Sequence, residues 1–344
     1  MAALSKGDES IVLQDRDREV LRDLLHCRVM TIAHVASLFF DGRLDAAKKR
    51  VWKLKAAGFI AERPRRSFEP SVLRLDRRGL DVLKSEGELD SCPELGVEAL
   101  VRRAQVSDLT LRHELQVMDC RVAFEARVKR LPSFAVAEFS TWPLRNQFTV
   151  HARQDGGEVI VRPDGFIRLH EKESDGGLSE HAFYLEIDRS SETQDVLVSK
   201  ARCYLAHYRS GGFAEKNGGD RSAFRDYPFR VLMAFKTAER RNNTAERLVV
   251  GNPPVLTHVW LTTITELIAN PFGPIWVRPA DYRDAVAGTS FEPSLRDSWP
   301  QRPRQAAREH LVEQRVKKQM LVETAPDKNG DPRGSPSLTE SGKP

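Results

Sequence analysis

The sequence is poor in cysteine and contains no long hydrophobic run. Its 344 residues include four cysteines, and their spacing forms no metal-binding or disulfide pattern (Cys27, Cys92, Cys120, Cys203). This spacing argues against a zinc site and a disulfide framework, so we expect reduced thiols. No apolar segment approaches the length that crosses a bilayer, and Met1–Ile11 contains no basic stretch followed by a hydrophobic one. These absences favour a cytoplasmic protein without a membrane partner.

Positive charge is concentrated in one part of the chain. The whole sequence has a net charge of +5, whereas twelve Lys or Arg and four acids between Arg43 and Arg78 give that segment a net charge of +8. A surface with one sign of charge is typical of proteins that contact phosphates. The chain is long enough for two domains with buried cores.

A winged helix-turn-helix domain is predicted over residues 1–85. Apolar periodicity and turn residues predict three helices and then two short strands, at Asp15–Leu25, Thr31–Leu38, Leu44–Ala57, Phe59–Ile60 and Val72–Leu75. In this plan the third helix enters the major groove of double-stranded DNA, and the loop between the strands contacts its backbone or minor groove. The predicted DNA-binding residues are Arg43, Lys48, Lys49, Arg50, Lys53, Arg65 and Arg66. A merely solvated lysine face and a protein-interaction module are the alternatives.

Composition divides the rest of the chain into three parts. Residues 86–106 are predicted to be a linker, 107–283 a second domain, and 284–344 a polar and largely disordered tail. A mixed-charge helix predicted over Arg304–Met320 in the tail is a candidate for homodimer contacts or for nucleic acid.

The second domain is predicted to be an α/β (α+β) domain with a mixed sheet. Ser107 is expected to cap a helix that reaches Arg130, and Ser191 with Gln194 forms the capping-box pattern of a later helix. The predicted strands are Ala135–Phe139, Val159–Leu169, Ala182–Asp188, Phe229–Phe235 and Val255–Thr262. The order is therefore helix, three strands, helix, strand.

Three carboxylates are predicted to meet on this sheet. Side chains alternate along a strand, so Glu186 and Asp188 point to the same side, and a neighbouring strand brings Asp164. Crowded carboxylates favour a hard cation such as Mg²⁺ or Mn²⁺. Lys200, on the following helix, is long enough to reach back to them. On the same helix, Tyr204 and Tyr208 are interpreted as packing residues.

This arrangement resembles the PD-(D/E)xK nuclease core over roughly residues 107–236, which is the restriction-endonuclease-like fold. Together with the winged helix, it resembles the replication-relaxation family of plasmid and mobile-element proteins. By position, Asp164 matches the acid of the first motif strand and Glu186 the acid of the next. Asp188 stands where the motif has lysine, and Lys200 is interpreted as a substitute that has moved to the helix. The resemblance also raises His113, otherwise read as a core histidine, to a site candidate.

The resemblance implies a DNA-binding protein of plasmid or mobile-element replication and relaxation, with a metal-dependent phosphodiesterase centre. The catalytic candidates are Asp164, Glu186, Asp188, Lys200 and His113, and the metal-ligand candidates are the three carboxylates. Two alternatives stay open. Asp188 could simply pair with Arg189 or Arg202, and the protein could be a non-catalytic regulator whose second domain serves recognition or dimerisation.

Overall fold

Three helices open the described part of the chain. The computed structural model describes residues 11–90, 96–141, 146–151 and 157–286. The helices are α1 (Asp15–Cys27), α2 (Ile32–Phe39) and α3 (Leu44–Ala56). The Thr31 side chain accepts a hydrogen bond from the backbone N–H of His34, which fixes the start of α2. Gly58 follows α3 with φ +74°, a conformation that glycine adopts without strain.

A small antiparallel sheet completes this region. Its strands are β1 (Met30–Thr31), β2 (Ile60–Glu62) and β3 (Val72–Leu75), in the order β1-β3-β2. The loop between β2 and β3, residues 63–71, contains Arg63, Arg65 and Arg66 and is called the basic loop below. The predicted succession of three helices and a hairpin is present, and β1 adds a third strand that was not predicted.

Three further helices lead to the central sheet: α4 (Arg77–Ser85), α5 (Val97–Ala104) and α6 (Asp108–Val128). Helix α5 lies inside the predicted linker, and its Leu100 is buried in the same core cluster as α1 and α3. Ser107 caps α6 as predicted, since its hydroxyl accepts from the N–H of Thr110. Because Arg121 of α6 pairs with Asp23 of α1 at 2.6 Å, α6 is also tied to the first three helices.

The central sheet has five strands and is mixed. Its strands are β4 (Phe134–Ser140), β7 (Gly165–Lys172), β8 (Leu178–Asp188), β9 (Phe229–Phe235) and β10 (Val259–Thr263). The order is β10-β9-β8-β7-β4, in which β7 is antiparallel to both neighbours while β8, β9 and β10 are parallel. The chain is therefore an α/β protein. A separate hairpin, formed by β5 (Phe148–His151) and β6 (Glu158–Val161), interrupts the predicted strand succession.

The remaining helices follow β8. They are α7 (Gln194–Arg209), α8 (Gly212–Lys216), a 3-10 helix (Arg221–Asp226), α9 (Ala238–Val250), α10 (Ile264–Ala269) and α11 (Pro279–Val286). No helix in the described ranges is both long enough and apolar enough to cross a membrane. The predicted helix at Arg304–Met320 and Cys92 lie outside the described residues.

Two local predictions in the central region are wrong. The strand predicted over Val159–Leu169 is two strands in different sheets, because the chain turns at Pro163 and Asp164 between β6 and β7. Proline has no N–H to donate to a sheet, which makes it a natural break point. The N-cap of α7 is Thr193 rather than Ser191, since the Thr193 hydroxyl accepts from the N–H of Val196.

Helices α6 and α7 cover opposite faces of the central sheet. Phe183, Leu185 and Ile187 of β8 are buried in one apolar cluster with Val117, Cys120 and Phe124 of α6. The alternate residue Tyr184 instead packs against Tyr204 of α7, with ring centroids 5.1 Å apart. Strand alternation therefore directs Glu186 and Asp188 toward the α7 side.

Candidate functional site

Glu186 lies at the carboxyl end of β8 and is almost completely buried, with 3% of its surface exposed. One carboxylate oxygen accepts a hydrogen bond from the Tyr204 hydroxyl, and the other lies 2.8 Å from the ammonium nitrogen of Lys200. Both partners come from α7, where they are four residues apart and therefore on one side of the helix. Helix α7 thus supplies the cation and the hydroxyl donor that a buried carboxylate needs.

Asp164 lies beside Glu186 at the start of β7. Its backbone N–H donates to the carbonyl of Leu185 at 3.1 Å, and its Oδ2 accepts from the N–H of Ile187 at 2.7 Å. These two contacts are with the residues on either side of Glu186. The turn at Pro163 therefore places Asp164 at the end of β8 with a fixed orientation.

His113 approaches the same point from α6. Its Nε2 lies 2.9 Å from Oδ1 of Asp164, and its side chain is 30% exposed. Burial lowers the pKa of His113, but the hydrogen bond and the negative charge of Asp164 outweigh it, so the pKa is raised overall. His113 therefore lies in the cleft as the partner of the Asp164 carboxylate and is not a core residue. Leu109, four residues earlier on α6, is 93% exposed.

Asp188 is buried like Glu186 but is directed to a different cation. Its carboxylate pairs with the guanidinium of Arg240 at the first turn of α9, and Oδ1 also accepts from the N–H of Ser190 at 3.0 Å. Arg240 further donates to the carbonyl of Glu192. The sequence-based alternative of an ion pair with Arg189 or Arg202 therefore named the right kind of contact but the wrong arginine.

All five catalytic candidates line one cleft of about 640 Å³. Its walls include His113, Asp164, Glu186, Asp188 and Lys200. The first turn of α6 forms another part of the wall, and Glu192 lies 3.5 Å from Lys200 inside it. Carboxylates, an imidazole and an ammonium group therefore face a common space that is open to a ligand.

The pKa values of this cleft reflect crowded negative charge. Burial raises the pKa of Glu186, and the charge of Asp164 adds to this effect, so that the pKa reaches about 7 despite the contacts with Lys200 and Tyr204. Burial opposes the charged form of Lys200, but Glu186 and Asp164 more than offset it and raise the Lys200 pKa. A carboxyl group that titrates near neutrality in a cleft is a frequent feature of functional sites.

Asp164 and Glu186 fit a cation that retains most of its water. Mg²⁺ is commonly held by one or two carboxylates together with substrate phosphates and water. Burial is the larger cause of the raised pKa of Glu186, and the repulsion by Asp164 that adds to it is the kind that a bound cation relieves. In the part of the chain that the structure describes, no group of three or more His, Cys, Asp or Glu side chains is placed to hold a metal ion. Asp164 and Glu186 could therefore hold a cation only together with water or substrate oxygens.

The predicted DNA-binding side chains lie on or next to α3 and in the basic loop. Lys48, Lys49 and Lys53 are exposed on α3, and Arg43 is exposed just before it. In the basic loop Arg66 is exposed, while Arg65 bends back to the Glu62 carboxylate at 2.9 Å.

Arg50 is oriented differently from the other predicted DNA-binding residues. Its side chain is only 16% exposed and pairs with the buried Asp17 of α1. This ion pair directs Arg50 into the protein, because Asp17, with 1% of its surface exposed, requires a cationic partner.

Sequence reasoning missed two residues of the site. Tyr204 was interpreted only as a packing residue, yet its hydroxyl donates to Glu186. The available signal was its spacing of four from Lys200 on a helix that faces an acidic strand end. Arg240 was not considered, and no local pattern relates it to Asp188, which lies 52 residues earlier in the chain.

The fold and the cleft together define an α/β protein with a paired-carboxylate and lysine site at the end of a mixed sheet. The model of the replication-relaxation family matches residues 21–221. The chain belongs to this family. The match extends from α1 to the 3-10 helix and so includes both α3 and the whole cleft wall on β7, β8 and α7. Neither a curated protein nor a solved structure matches the chain.

Proposed function

We propose that this protein binds DNA through α3 and the basic loop and hydrolyses a phosphodiester bond in the cleft with the help of Mg²⁺ or Mn²⁺. Membership of the replication-relaxation family supports a role in the replication or relaxation of plasmid or mobile-element DNA. The restriction-endonuclease-like reading is supported by the succession of α6, three strands of the central sheet, α7 and β9.

One observation carries the catalytic part of the proposal. Asp164 and Glu186, from two neighbouring strands, face the same cleft as Lys200, although 22 positions of sequence separate the two acids. A buried acid pair with a lysine is poorly explained as a purely stabilising feature, because desolvation of charged groups opposes folding. The arrangement is, however, well suited to binding a cation and a phosphate together.

Each residue of the cleft has a distinct task in this proposal. Asp164 and Glu186 would hold the divalent cation, which when bound supplies charge stabilisation at the phosphate and an acidic water. Lys200 is placed to stabilise negative charge that develops on the phosphate oxygens. His113 orients Asp164 through its contact at 2.9 Å, and Tyr204 orients Glu186. Asp188 has no ligand role here, because Arg240 engages it.

The test of the catalytic proposal uses supercoiled plasmid. Purified protein is incubated with the plasmid and Mg²⁺ or Mn²⁺, with and without excess chelator, while DNA binding is measured in parallel. We expect conversion of supercoiled to open-circular or linear plasmid only when the metal is present. DNA binding without any cleavage would instead support the regulator described next.

A non-catalytic regulator is the second candidate function, and a specific observation favours it. Both carboxylate oxygens of Asp164, of Glu186 and of Asp188 already contact donors within the protein. If the protein is such a regulator, the central domain would serve recognition or dimerisation, and the α3 surface would bind an origin or operator. This candidate predicts the same DNA affinity with or without divalent metal.

The DNA-binding surface predicts a specific salt dependence. Each phosphate contact made by a lysine contributes about 0.9 to the slope of log affinity against log salt. Replacing Lys48 and Lys49 together by alanine is therefore expected to make the slope shallower by about 2, which titrations at several salt concentrations would measure. Lys172→Ala, at an exposed position at the far end of β7, is the matched control and should leave the slope unchanged. A native slope near zero would rule out phosphate contacts.

A further inference from the structure

The tip of the basic loop is held in shape by its own polar contacts. The Arg65 guanidinium donates to the carbonyl of Glu69 at 2.9 Å, and the backbone N–H of Arg66 donates to the Glu69 carboxylate at 3.1 Å. Glu62 at the base of the loop contacts Lys55, Arg65 and Ser71. These contacts fix the backbone of the loop and therefore the positions of its outer side chains.

An aromatic ring points outward from this tip. Phe68 is 78% exposed, although an apolar side chain of this size is usually covered. Leu109, on the first turn of α6, is 93% exposed and lines the cleft. Two large apolar side chains are thus exposed on segments that otherwise carry charge and that meet where Arg63 pairs with Asp108.

The loop and the entrance of the cleft are joined. Arg63, where the loop begins, pairs with Asp108, which is the first residue of α6 and part of the cleft wall. Arg66 is also close enough to Asp108 to contribute to the lowering of its pKa, after the larger effect of Arg63. The base of the loop is therefore anchored at the cleft entrance, where Arg112 of α6 adds another cation.

The chemistry of these side chains identifies the ligand. Arginines bind phosphates of any nucleic acid, and an exposed aromatic ring can stack on a base. In a duplex the base faces are covered by their neighbours, and an aromatic ring reaches them only by unstacking a base step at a cost of about a few kcal/mol. An unpaired base carries no such cost and is therefore the favoured partner of Phe68. A wholly single-stranded ligand would leave the exposed lysines of α3, which are proposed to contact a duplex, without a role.

We infer that the loop tip, with Phe68 and Arg66, and the first turn of α6 form a binding site for unpaired DNA bases at the cleft entrance. This inference rests on the proposed function and narrows its substrate to DNA in which duplex and unpaired segments adjoin, such as a fork or a melted origin. The duplex part contacts α3, and the unpaired strand passes Phe68 on its way to the cleft.

Binding measurements without divalent metal test the site, so that no cleavage interferes. The probes are a fluorescent duplex and the same duplex extended by a forked single-stranded arm, each titrated with the full chain. We expect the native protein to bind the fork about tenfold or more tightly than the duplex, in line with stacking of one base on an aromatic side chain. Phe68→Ala is expected to remove this preference while leaving the duplex affinity unchanged.

Two matched variants complete the experiment. Phe68→Trp retains an aromatic face and should keep the preference for the fork. Val250→Ala truncates another highly exposed apolar residue, at the end of α9, and should behave like the native protein. Because Phe68 is exposed, its truncation leaves the core intact.

Several results would overturn the inference. Equal native affinity for fork and duplex would do so, as would a fork preference that survives in Phe68→Ala, or an equal loss of affinity for both probes in that variant. The first two results leave duplex binding, and hence the proposed function, untouched. A native protein that binds neither probe would refute the DNA-binding proposal as well.

Discussion

Asp164→Asn and Glu186→Gln are each expected to slow metal-dependent plasmid cleavage by about 1000-fold. A bound divalent cation contributes several kcal/mol of charge stabilisation to phosphodiester hydrolysis, and each 1.4 kcal/mol corresponds to about a factor of ten in rate. Both substitutions remove the negative charge that would hold the cation while keeping the size of the side chain. The rate is measured as loss of supercoiled plasmid under single-turnover conditions.

The amide variants also retain much of the local hydrogen bonding. In the Asp164→Asn variant, the amide oxygen of the new side chain can still accept from the N–H of Ile187. Glu192→Gln is the matched control, because Glu192 lines the same cleft and lies 3.5 Å from Lys200, yet its side chain is 37% exposed. We expect this variant to cleave at close to the native rate. Cleavage that persists in both Asp164→Asn and Glu186→Gln would come from another source and would refute a centre at these residues.

The sequence was sufficient to predict the acid pair because strand alternation is local. Residues two positions apart on one strand share a face, and a short connection makes the preceding strand the neighbour, so Asp164 and Glu186 were expected to adjoin. The helix cap at Ser107 was equally local, since its hydroxyl accepts from the N–H of Thr110 as the pattern predicts. At the start of α7, Ser191 and Thr193 both offered a hydroxyl, and the pattern selected the wrong residue.

Contacts between distant segments could not be predicted in the same way. The partner of Asp188 is Arg240, whose position depends on how α9 returns to the end of β8 after β9. Arg50 was predicted to bind DNA because lysines surround it on α3. It instead pairs with the buried Asp17, which lies on α1, 33 residues away. In both cases burial of a carboxylate decides the pairing, and burial is a property of the fold rather than of a local pattern.

The β5–β6 hairpin shows that a strand can be predicted from sequence while the sheet that it joins is not. Val159 and the residues that follow have the composition of a strand, and they do form one, but in a two-stranded sheet of their own. The turn at Pro163 and Asp164 separates this hairpin from β7. Pro163 indicates a strand break, but the apolar residues on both sides of it favoured the prediction of one continuous strand.

Ionisation of Glu186 is expected to lower the free energy of unfolding as the pH rises from about 5 to 8, and Glu186→Gln is expected to remove this contribution. The pKa of Glu186 is about 7 in the folded protein and 4.5 as its ordinary value. Between these two values the folded state binds more protons than the unfolded state, so stability decreases with increasing pH. A shift of this size corresponds to on the order of 3 kcal/mol. Chemical denaturation of both proteins at several pH values, with chelator present, measures the effect.

The difference between the two proteins reports the Glu186 carboxyl together with the part of the His113 pKa shift that Glu186 causes. Burial lowers the pKa of His207 to about 4 and that of His258 to about 3, so these two groups act in the opposite direction, but they act alike in both proteins. Loss of the Glu186 charge lowers the pKa of His113, which changes stability in the same direction as loss of the Glu186 carboxyl itself. Relative to the native protein, Glu186→Gln should therefore gain stability as the pH rises through 7, while Glu192→Gln should show no such trend. If the native and Glu186→Gln curves stay parallel from pH 5 to 8, then Glu186 is not the buried, charge-crowded carboxyl that a cation site at this sheet edge requires.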